Sequence, residues 1–285
     1  MSVESQNIYD NPEFFSTYGD LPRSQHGLLA APEWPILEKM ILNSKSSPIG
    51  PLENTLKGSR ILDLGCGYGW FVCWAREKGA GYVKGVDLSQ NMINRAKEFE
   101  AETNHLMVPA PTTEIIFEID DLETINLSQH PEQGLYDLVY SSLAFHYVDD
   151  IVRLFREIHS CLKKGSNHER RGRFVFYVEH PIVTAPVHPG PDYKVIREAG
   201  EDQKVWPLNS YSREGLRLTS WLGAEGVRKY HRTVETYVTA LLENGFVLTG
   251  LKDWCRSRTN VAGRLEGNVE RPCPNFLIIS AEVRE

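Results

Sequence analysis

Residues 61–70 of the chain read ILDLGCGYGW, in which an apolar run leads into three glycines, Gly65, Gly67 and Gly69. A buried strand followed by glycines that open a helix is typical of a nucleotide-binding turn, because glycine lets backbone amides approach the ligand closely. A dinucleotide-binding fold uses such a turn for a diphosphate. The glycines alone therefore predict a nucleotide ligand without deciding which one.

Asp63, near the end of the expected strand, distinguishes a ligand that places a diphosphate at the turn from one that places a cationic group there. A carboxylate beside a diphosphate brings like charges together, whereas a carboxylate beside an ammonium or sulfonium group is favourable. Trp70 also stands where the dinucleotide pattern has glycine or alanine. Asp87, at the end of the next strand, can accept two ribose hydroxyls in either class of cofactor. The turn therefore favours a cationic ligand.

The composition is that of an ordinary globular protein, with 285 residues, 41% apolar residues and a net charge of −7. No basic stripe points to nucleic acid as a partner, and no run of about 18 apolar residues predicts a membrane span. The polar N-terminus lacks the apolar core of a signal peptide. The five cysteines form no CxxC pair, which argues against a disulfide framework or a zinc site. We therefore expect a cytoplasmic protein without a membrane or nucleic-acid partner.

Seven apolar segments are expected to be β-strands, and helical patterns separate most of them. They are RILDLG, YVKGVDL, EIIFEID, YDLVYSSLAF, RFVFYVEH, FVLTGLKDW and NFLIISAEV. Such alternation predicts an α/β fold, in which a mostly parallel sheet carries helices on both faces. The last two segments have no helix between them, so we expect the final strand to be reversed.

The chain is expected to be a single domain, residues 1–285, in four parts. Residues 58–180 carry the glycine turn and form the expected cofactor-binding core, and residues 233–285 supply the last helix and the final strands. Residues 1–57 and 181–232 stand outside the alternation, and structureless loops of that length are uncommon. We expect an N-terminal cover and a substrate-side insert over the carboxyl edge of the sheet, where ligands of open α/β sheets bind.

The motifs ILDLGCGYGW, GVDLS, DDLE and YDLVYSSLAFHYV together resemble those of the class I S-adenosylmethionine-dependent methyltransferases, most closely the small-molecule branch called type 11. The motif-bearing part covers residues 58–180. The resemblance implies a Rossmann-like seven-stranded sheet of order 3-2-1-4-5-7-6, with strand 7 antiparallel and an N-terminal helical cover. It also implies transfer of a methyl group from S-adenosylmethionine to a small-molecule acceptor, with S-adenosylhomocysteine as product. Oxygen, nitrogen, sulfur and carbon acceptors are all open.

The resemblance also implies cofactor-binding roles for residues in or near these motifs. They are Tyr18, Arg23, Asp63, Gly65, Cys66, Gly67, Asp87, Leu88, Met92, Asp121, Leu122, Ser141 and Leu143. In this assignment Asp63 faces the methionine part of the cofactor, Asp87 binds the ribose hydroxyls and Asp121 accepts from the adenine amino group. Arg23 pairs with the cofactor carboxylate, and Ser141 lies beside the sulfonium.

Several of these assignments have structural alternatives. Asp121 can cap a turn, and the Ser141 hydroxyl can bond to nearby backbone. Tyr18 can be a packed aromatic residue, and Cys66 can fill a small space in the core.

Four residues are candidates for a general base, which an acceptor needs when it must lose a proton. They are His146, Glu179, His180 and His231, which follow the fourth and fifth strands or precede the last long helix. For each of them, the alternative is a structural histidine or an ion-paired carboxylate.

The segment 181–232 interleaves aromatic residues with arginines, which favours a flat aromatic or anionic acceptor, unless these aromatics form a small core of their own. No metal-ligand cluster is evident in the sequence, so we expect no metal cofactor. An NAD(P)-dependent oxidoreductase and a cofactor-binding regulatory protein without catalysis are the alternative functions. A monomer and a homodimer are both compatible with the sequence.

Overall fold

A computed structural model describes most of the chain. The described residues are 5–42, 56–104, 112–129, 134–165, 171–188, 190–198, 200–255 and 273–284. Residues 1–4 and 43–55 of the expected N-terminal cover lie outside them.

The described residues form eight α-helices and eleven β-strands. The helices are α1 (Pro12–Gly19), α2 (Pro22–His26), α3 (Trp34–Leu42), α4 (Trp70–Glu77), α5 (Gln90–Asn104), α6 (Ile151–Cys161), α7 (Pro181–Thr184) and α8 (Val234–Glu243). The strands are β1 (Arg60–Leu64), β2 (Tyr82–Asp87), β3 (Glu114–Ile119), β4 (Leu138–Ser142), β5 (Arg173–Glu179), β6 (Lys194–Glu198), β7 (Glu201–Val205), β8 (Gly215–Trp221), β9 (Ala224–His231), β10 (Phe246–Trp254) and β11 (Phe276–Val283). Short 3₁₀ turns occur at Ile8–Asp10, Gly27–Ala30 and Phe145–Tyr147.

The main sheet has seven strands in the order β10-β11-β5-β4-β1-β2-β3. The neighbouring strands β5, β4, β1, β2 and β3 pair in parallel, whereas β11 runs antiparallel to both β5 and β10. In sheet-strand numbering this is the order 3-2-1-4-5-7-6, so the predicted fold class, strand count and reversed final strand are confirmed. The carboxyl ends of five parallel strands consequently meet at one edge of the sheet.

The core has one apolar layer on each face of this sheet. Phe155 of α6 and Leu241 of α8 are buried in one layer, and Leu37 of α3, Phe71 of α4 and Ile93 of α5 are buried in the other. Neighbouring residues of a strand point to opposite faces, which is why the inner strands are apolar throughout. Burial of each such side chain contributes about 1.5–3 kcal/mol, which holds the sheet edge in place for the site described below.

Two segments outside the sheet meet over its carboxyl edge. Residues 181–232 form α7 and two antiparallel ribbons, β6–β7 and β8–β9. The Trp221 ring, in β8, lies edge-on to Tyr9 at 6.3 Å and to Tyr18 at 6.1 Å. The Gln6 side-chain oxygen accepts a hydrogen bond of 2.7 Å from the Arg228 backbone amide in β9. The N-terminal segment and the β8–β9 ribbon therefore pack against each other.

Asp10 attaches the N-terminal segment to the start of α5. Its carboxylate accepts hydrogen bonds from the Ser89 hydroxyl (2.5 Å), the Asn91 backbone amide (3.0 Å) and the Asn7 side chain (2.6 Å). A carboxylate at this position also matches the positive end of the helix dipole. Burial opposes ionisation of Asp10, but these hydrogen bonds outweigh it and lower its pKa below the usual 3.8.

We expect Asp10→Ala to lower the free energy of unfolding by about 1.5–3 kcal/mol, because hydrogen bonds to a charged group are lost. Since the folded-state pKa is depressed, the contribution of Asp10 is complete well above pH 3.8 and is lost as the pH falls below that value. Urea titrations of both proteins at pH 7 and at acid pH measure the difference. Asp20→Ala, at an exposed carboxylate, is the control. An equal effect of both variants at pH 7 would contradict the role of Asp10.

Candidate functional site

The carboxyl ends of the parallel strands open into a cavity of about 420 Å³ with a smaller one of about 90 Å³ beside it. Most residues singled out from the sequence line one or both of them. The larger cavity is lined by Tyr18, Arg23, Gly65, Gly67, Asp87, Leu88, Met92, Asp121, Leu122, Leu143, His146 and Glu179, and the smaller one by Tyr18, Arg23, Asp63, Gly65, Cys66 and Gly67. The larger volume falls in the range of pockets for small ligands.

The glycine turn needs glycine at two positions for different reasons. Gly65 has φ +77°, and a Cβ atom there would lie 2.5 Å from the Cβ of Ala144. Gly67 has φ +52°, and a Cβ there would meet no atom within 4 Å among the described residues, so it faces open space. A side chain at Gly65 would push away the loop after β4, and one at Gly67 would occupy room at the cavity wall.

Asp63, at the end of β1, is the most unusual charge at the site. Its exposed fraction is 1%, and its Oδ1 has no hydrogen-bond partner within the described part of the chain. Burial, and then the nearby Asp87, raise the pKa of Asp63 well above 3.8. A cationic ligand in the smaller cavity would offset the free-energy cost of burying this carboxyl group. Cys66, in the same cavity, has its pKa raised by burial, so its thiol stays neutral.

Asp87 is held at the end of β2 by backbone donors. Its two oxygens accept hydrogen bonds from the amides of Gly67 (2.9 Å) and Ser89 (3.0 Å). Burial raises the pKa of Asp87 despite these bonds. Leu88 and Met92 line the cavity beside it. The carboxylate is thus fixed in one orientation with apolar side chains alongside.

Asp121 combines the functional and the structural possibility. Its Oδ1 accepts a hydrogen bond of 2.9 Å from the Glu123 backbone amide, which closes a local turn. Asp121 and Leu122 also line the larger cavity. Arg153 donates to the backbone oxygens of Leu122 and Ile125 and so holds this loop to α6.

Tyr18 and Arg23, which the sequence assigns to the cofactor, are cavity residues of the N-terminal segment. Tyr18 lies edge-on to Tyr68 of the glycine turn, with ring centroids 5.7 Å apart. Burial raises the pKa of Tyr18 to about 12, so it is a neutral phenol. Arg23 forms an ion pair with Glu33 and donates to the Tyr177 hydroxyl at 2.5 Å.

The end of β4 corrects one sequence-based assignment. Ser141 is fully buried and donates 2.7 Å to the backbone oxygen of Leu64, so it lines neither cavity. Its structural alternative is the one found. Ser142 lines both cavities instead, because successive strand residues point to opposite sides. Leu143 follows with φ +54°, a strained conformation of a kind that clusters at ligand sites.

His146 and Glu179 face the larger cavity together. His146 is buried, its Nδ1 has no hydrogen-bond partner within the described ranges, and burial lowers its pKa to about 4. Lys229 lies 2.7 Å from Glu179. Burial opposes ionisation of Glu179, but His146 and Lys229 outweigh it and lower its pKa below 4.5. At neutral pH the cavity therefore presents a neutral imidazole and an ionised carboxylate.

The other two candidate bases lie outside both cavities. The Nε2 atom of His180 is 2.9 Å from Asp253, and its Nδ1 accepts from the Ile182 amide at the start of α7. Both ring nitrogens of His231 are also engaged, with Thr184 and the Tyr211 backbone oxygen, each at 2.8 Å. Their structural alternative is therefore the one found, because neither ring has an atom directed to the cavity.

Several cavity residues have no assigned role in the sequence motifs. Tyr9, Trp221, Arg228 and Tyr230 were visible only as aromatic or basic members of the two outer segments, and Tyr147 was not singled out. Tyr147 follows His146 directly, which is the one local signal for it. The other four come from the N-terminal segment and the β8–β9 ribbon, and only the folded chain brings these two parts to the same cavity.

The described residues contain neither a metal-binding cluster nor a membrane-spanning helix. No group of three or more His, Cys, Asp or Glu is arranged to hold a metal ion. None of the helices described is long and apolar enough to cross a membrane.

The chain is similar to known proteins. Residues 62–168 match the family model Methyltransf_11, a methyltransferase domain. The S-adenosylmethionine-dependent methyltransferase from Mesorhizobium loti is 39% identical, with a TM-score of 0.69 and coverage of 90% of this chain and 100% of that chain. A Listeria monocytogenes protein of known structure is 33% identical with the same coverage and a TM-score of 0.65. An uncharacterized Haemophilus influenzae protein is 29% identical over 247 residues, 87% of this chain and 85% of that protein.

These similarities extend beyond the glycine turn to nearly the whole chain, and they decide against an NAD(P)-dependent oxidoreductase. They agree with the strand order of the main sheet. The chain therefore belongs to the class I S-adenosylmethionine-dependent methyltransferases.

Proposed function

We propose that the protein transfers the methyl group of S-adenosylmethionine to a small molecule and releases S-adenosylhomocysteine. The observation that carries this proposal is the extent of the larger cavity. It begins at the glycine turn and continues to Glu179, Arg228 and Tyr230, under the N-terminal segment and the β8–β9 ribbon. A cavity that extends this far beyond the turn supports a second, small reactant beside the cofactor.

The residues around the smaller cavity fit the amino-acid end of S-adenosylmethionine. Asp63 is a buried carboxyl group whose Oδ1 lacks a partner in the described part of the molecule, and Arg23 brings a guanidinium to the same cavity. We assign the ammonium group to Asp63 and the carboxylate to Arg23, because each pairing joins opposite charges. Gly65 and Gly67 have no side chain, so the backbone can lie close to this end of the ligand.

The nucleoside end is assigned to the residues of the larger cavity. Asp87, held by two backbone amides, is suited to accept from the ribose hydroxyls. Leu88 and Met92 supply apolar contacts, while Asp121 and Leu122 are assigned to the adenine edge.

Bound S-adenosylmethionine supplies a methyl group on a sulfonium, which is open to in-line displacement. The protein contributes orientation, exclusion of water and a place for the acceptor's proton. His146 is neutral at physiological pH, and its Nδ1 is unpartnered within the described structure, so we assign it as the proton acceptor. Glu179, ionised beside Lys229, is the second candidate and in either case stabilises the positive charge that develops on His146.

We propose an acceptor with an aromatic or anionic group. Tyr9, Tyr147, Trp221 and Tyr230 line the cavity beyond the assigned cofactor residues and suit a flat molecule. Arg228 lies on the same wall and suits a carboxylate or phosphate.

We further propose a cytoplasmic protein that acts as a monomer or homodimer. No disulfide bond joins any of the five cysteines, Cys66, Cys73, Cys161, Cys255 and Cys273, all of which lie in the described residues, and four of them are buried. Cysteines outside disulfide bonds support a reducing compartment.

We expect the affinity for S-adenosylhomocysteine to increase with pH in the range where Asp63 ionises. The pKa of Asp63 lies well above 3.8, and the protonated acid at lower pH cannot pair with an ammonium group. Asp63→Asn should weaken binding by about 10- to 100-fold and lose part of this pH dependence. Calorimetry over a pH series measures both effects, with Asp20→Asn, on the exposed surface, as the control. An unchanged pH profile in Asp63→Asn would contradict the assignment.

We expect His146→Gln to lower kcat by about 100- to 10,000-fold for an acceptor that must lose a proton, with little change in S-adenosylhomocysteine affinity. In the wild type, kcat/KM should fall as the pH approaches about 4, where His146 becomes protonated. Glu179→Gln is measured beside it, and His188→Gln, at an exposed histidine, is the control. Wild-type rates in both cavity variants at all pH values would refute a general base at this site.

The acceptor proposal is tested with methyl-labelled S-adenosylmethionine and a cell extract divided into small-molecule and macromolecular fractions. We expect the label in the small-molecule fraction, and label only in macromolecules would overturn the proposal.

With an anionic acceptor identified in this way, Arg228→Gln should raise KM about tenfold with a smaller effect on kcat, because a charge pair is lost. Arg213→Gln, in the same segment but exposed, should match the wild type.

A further inference from the structure

Arg23 lines both cavities and is held by groups from three parts of the chain. Glu33 forms an ion pair with its Nη2, and the Tyr177 hydroxyl accepts from its Nη1 at 2.5 Å. The Phe276 ring lies under the guanidinium, with 6.0 Å to the ring centroid. A long side chain on the short helix α2 is thereby restricted to one orientation at the cavity wall.

Glu33, directly before α3, is the charged member of this arrangement that does not line either cavity. Its side chain has 0% exposure, and its Oε2 atom has no hydrogen-bond partner among the residues described. The Tyr177 hydroxyl interacts with Glu33 as well as with Arg23, so the three groups close a triangle. Ser142, a cavity residue, donates to the same hydroxyl at 2.8 Å.

The effect of this triangle is on position more than on stability. A buried ion pair adds little net stability, because desolvation of both charges offsets their attraction. A guanidinium has five N–H donors in a rigid plane, so two anchored nitrogens fix the direction of the rest. Loss of Glu33 would leave Arg23 with one neutral oxygen partner in the triangle and free its plane to rotate.

We propose that Glu33 is a positioning residue that orients Arg23 toward the carboxylate of the cofactor's amino-acid end. The inference rests on the proposed assignment of that carboxylate to Arg23. Glu33 then acts only on ligands that carry the amino-acid end. It has no effect on the adenosyl part, whose residues lie around Asp87 and Asp121.

The test compares two ligands in the full-length protein by calorimetry. S-adenosylhomocysteine carries the amino acid, and 5′-methylthioadenosine is the corresponding thioether without it. We expect Glu33→Gln to raise the Kd of S-adenosylhomocysteine about tenfold or more and to leave that of 5′-methylthioadenosine within about twofold of the wild type. An unchanged Kd for S-adenosylhomocysteine, or a parallel loss for both ligands, would overturn the proposal.

Two further variants keep the test decisive. Tyr177→Phe removes the second partner of Arg23 without removing a charge and should give the same ligand-selective loss, even where Glu33→Gln does not fold. Glu100→Gln is the matched control, because Glu100 pairs at 2.6 Å with the buried Arg76 outside both cavities. It should bind both ligands as the wild type does. If the wild type binds neither ligand, the proposed cofactor site is refuted. If the wild type binds S-adenosylhomocysteine more tightly than 5′-methylthioadenosine, and Glu33→Gln or Tyr177→Phe leaves both Kd values unchanged, only the role of Glu33 is refuted.

Discussion

The site depends on a buried carboxyl group at the end of the first strand. Asp63 is almost fully removed from water, and its Oδ1 meets no hydrogen-bonding group in the described structure. A polar group in this condition costs free energy that a cationic ligand can recover. The glycine turn, with Gly65 against Ala144 and Gly67 facing open space, leaves room for that ligand. The parallel sheet brings Asp87 and the end of β4 to the same edge, so the remaining contacts follow from where β1 ends.

The sheet and the two outer segments supply different parts of the cavity. The sheet edge supplies Asp63 and Asp87, whereas the segments before β1 and after β5 close the cavity from above. They are attached by specific contacts, Asp10 at the start of α5 and Gln6 on β9. Because the N-terminal segment carries both Arg23 and Tyr9, it contributes to the assigned cofactor end and to the assigned acceptor wall alike. Changes in these segments can therefore alter the acceptor while the sheet edge stays the same.

The candidate bases show how far residue patterns predict a site. His146, His180 and His231 all follow or precede elements whose ends were expected near the ligand. The sequence pattern therefore does not distinguish among them as candidate bases. Packing separates them, because two are saturated by hydrogen bonds and His146 keeps an unpartnered nitrogen in the part of the chain described. Ser141 failed for a similar reason, since a shift of one residue along a strand moves a side chain to the other face. Proximity to a strand end is thus predictable, but direction and partners are not.

The sequence by itself determined the seven strands, the reversed final strand, the glycine turn and the placement of Asp63 and Asp87 at strand ends. These features follow from local periodicity, glycine conformation and connection length, which act over a few residues. Only the tertiary structure decided that Arg23 meets Glu33 and Tyr177, and that Trp221 meets Tyr9 and Tyr18. Arg23 and Tyr177 are 154 positions apart, and no local pattern encodes which side chains meet across such a separation. The choice comes from packing in the folded chain, where a buried charge without a partner costs free energy.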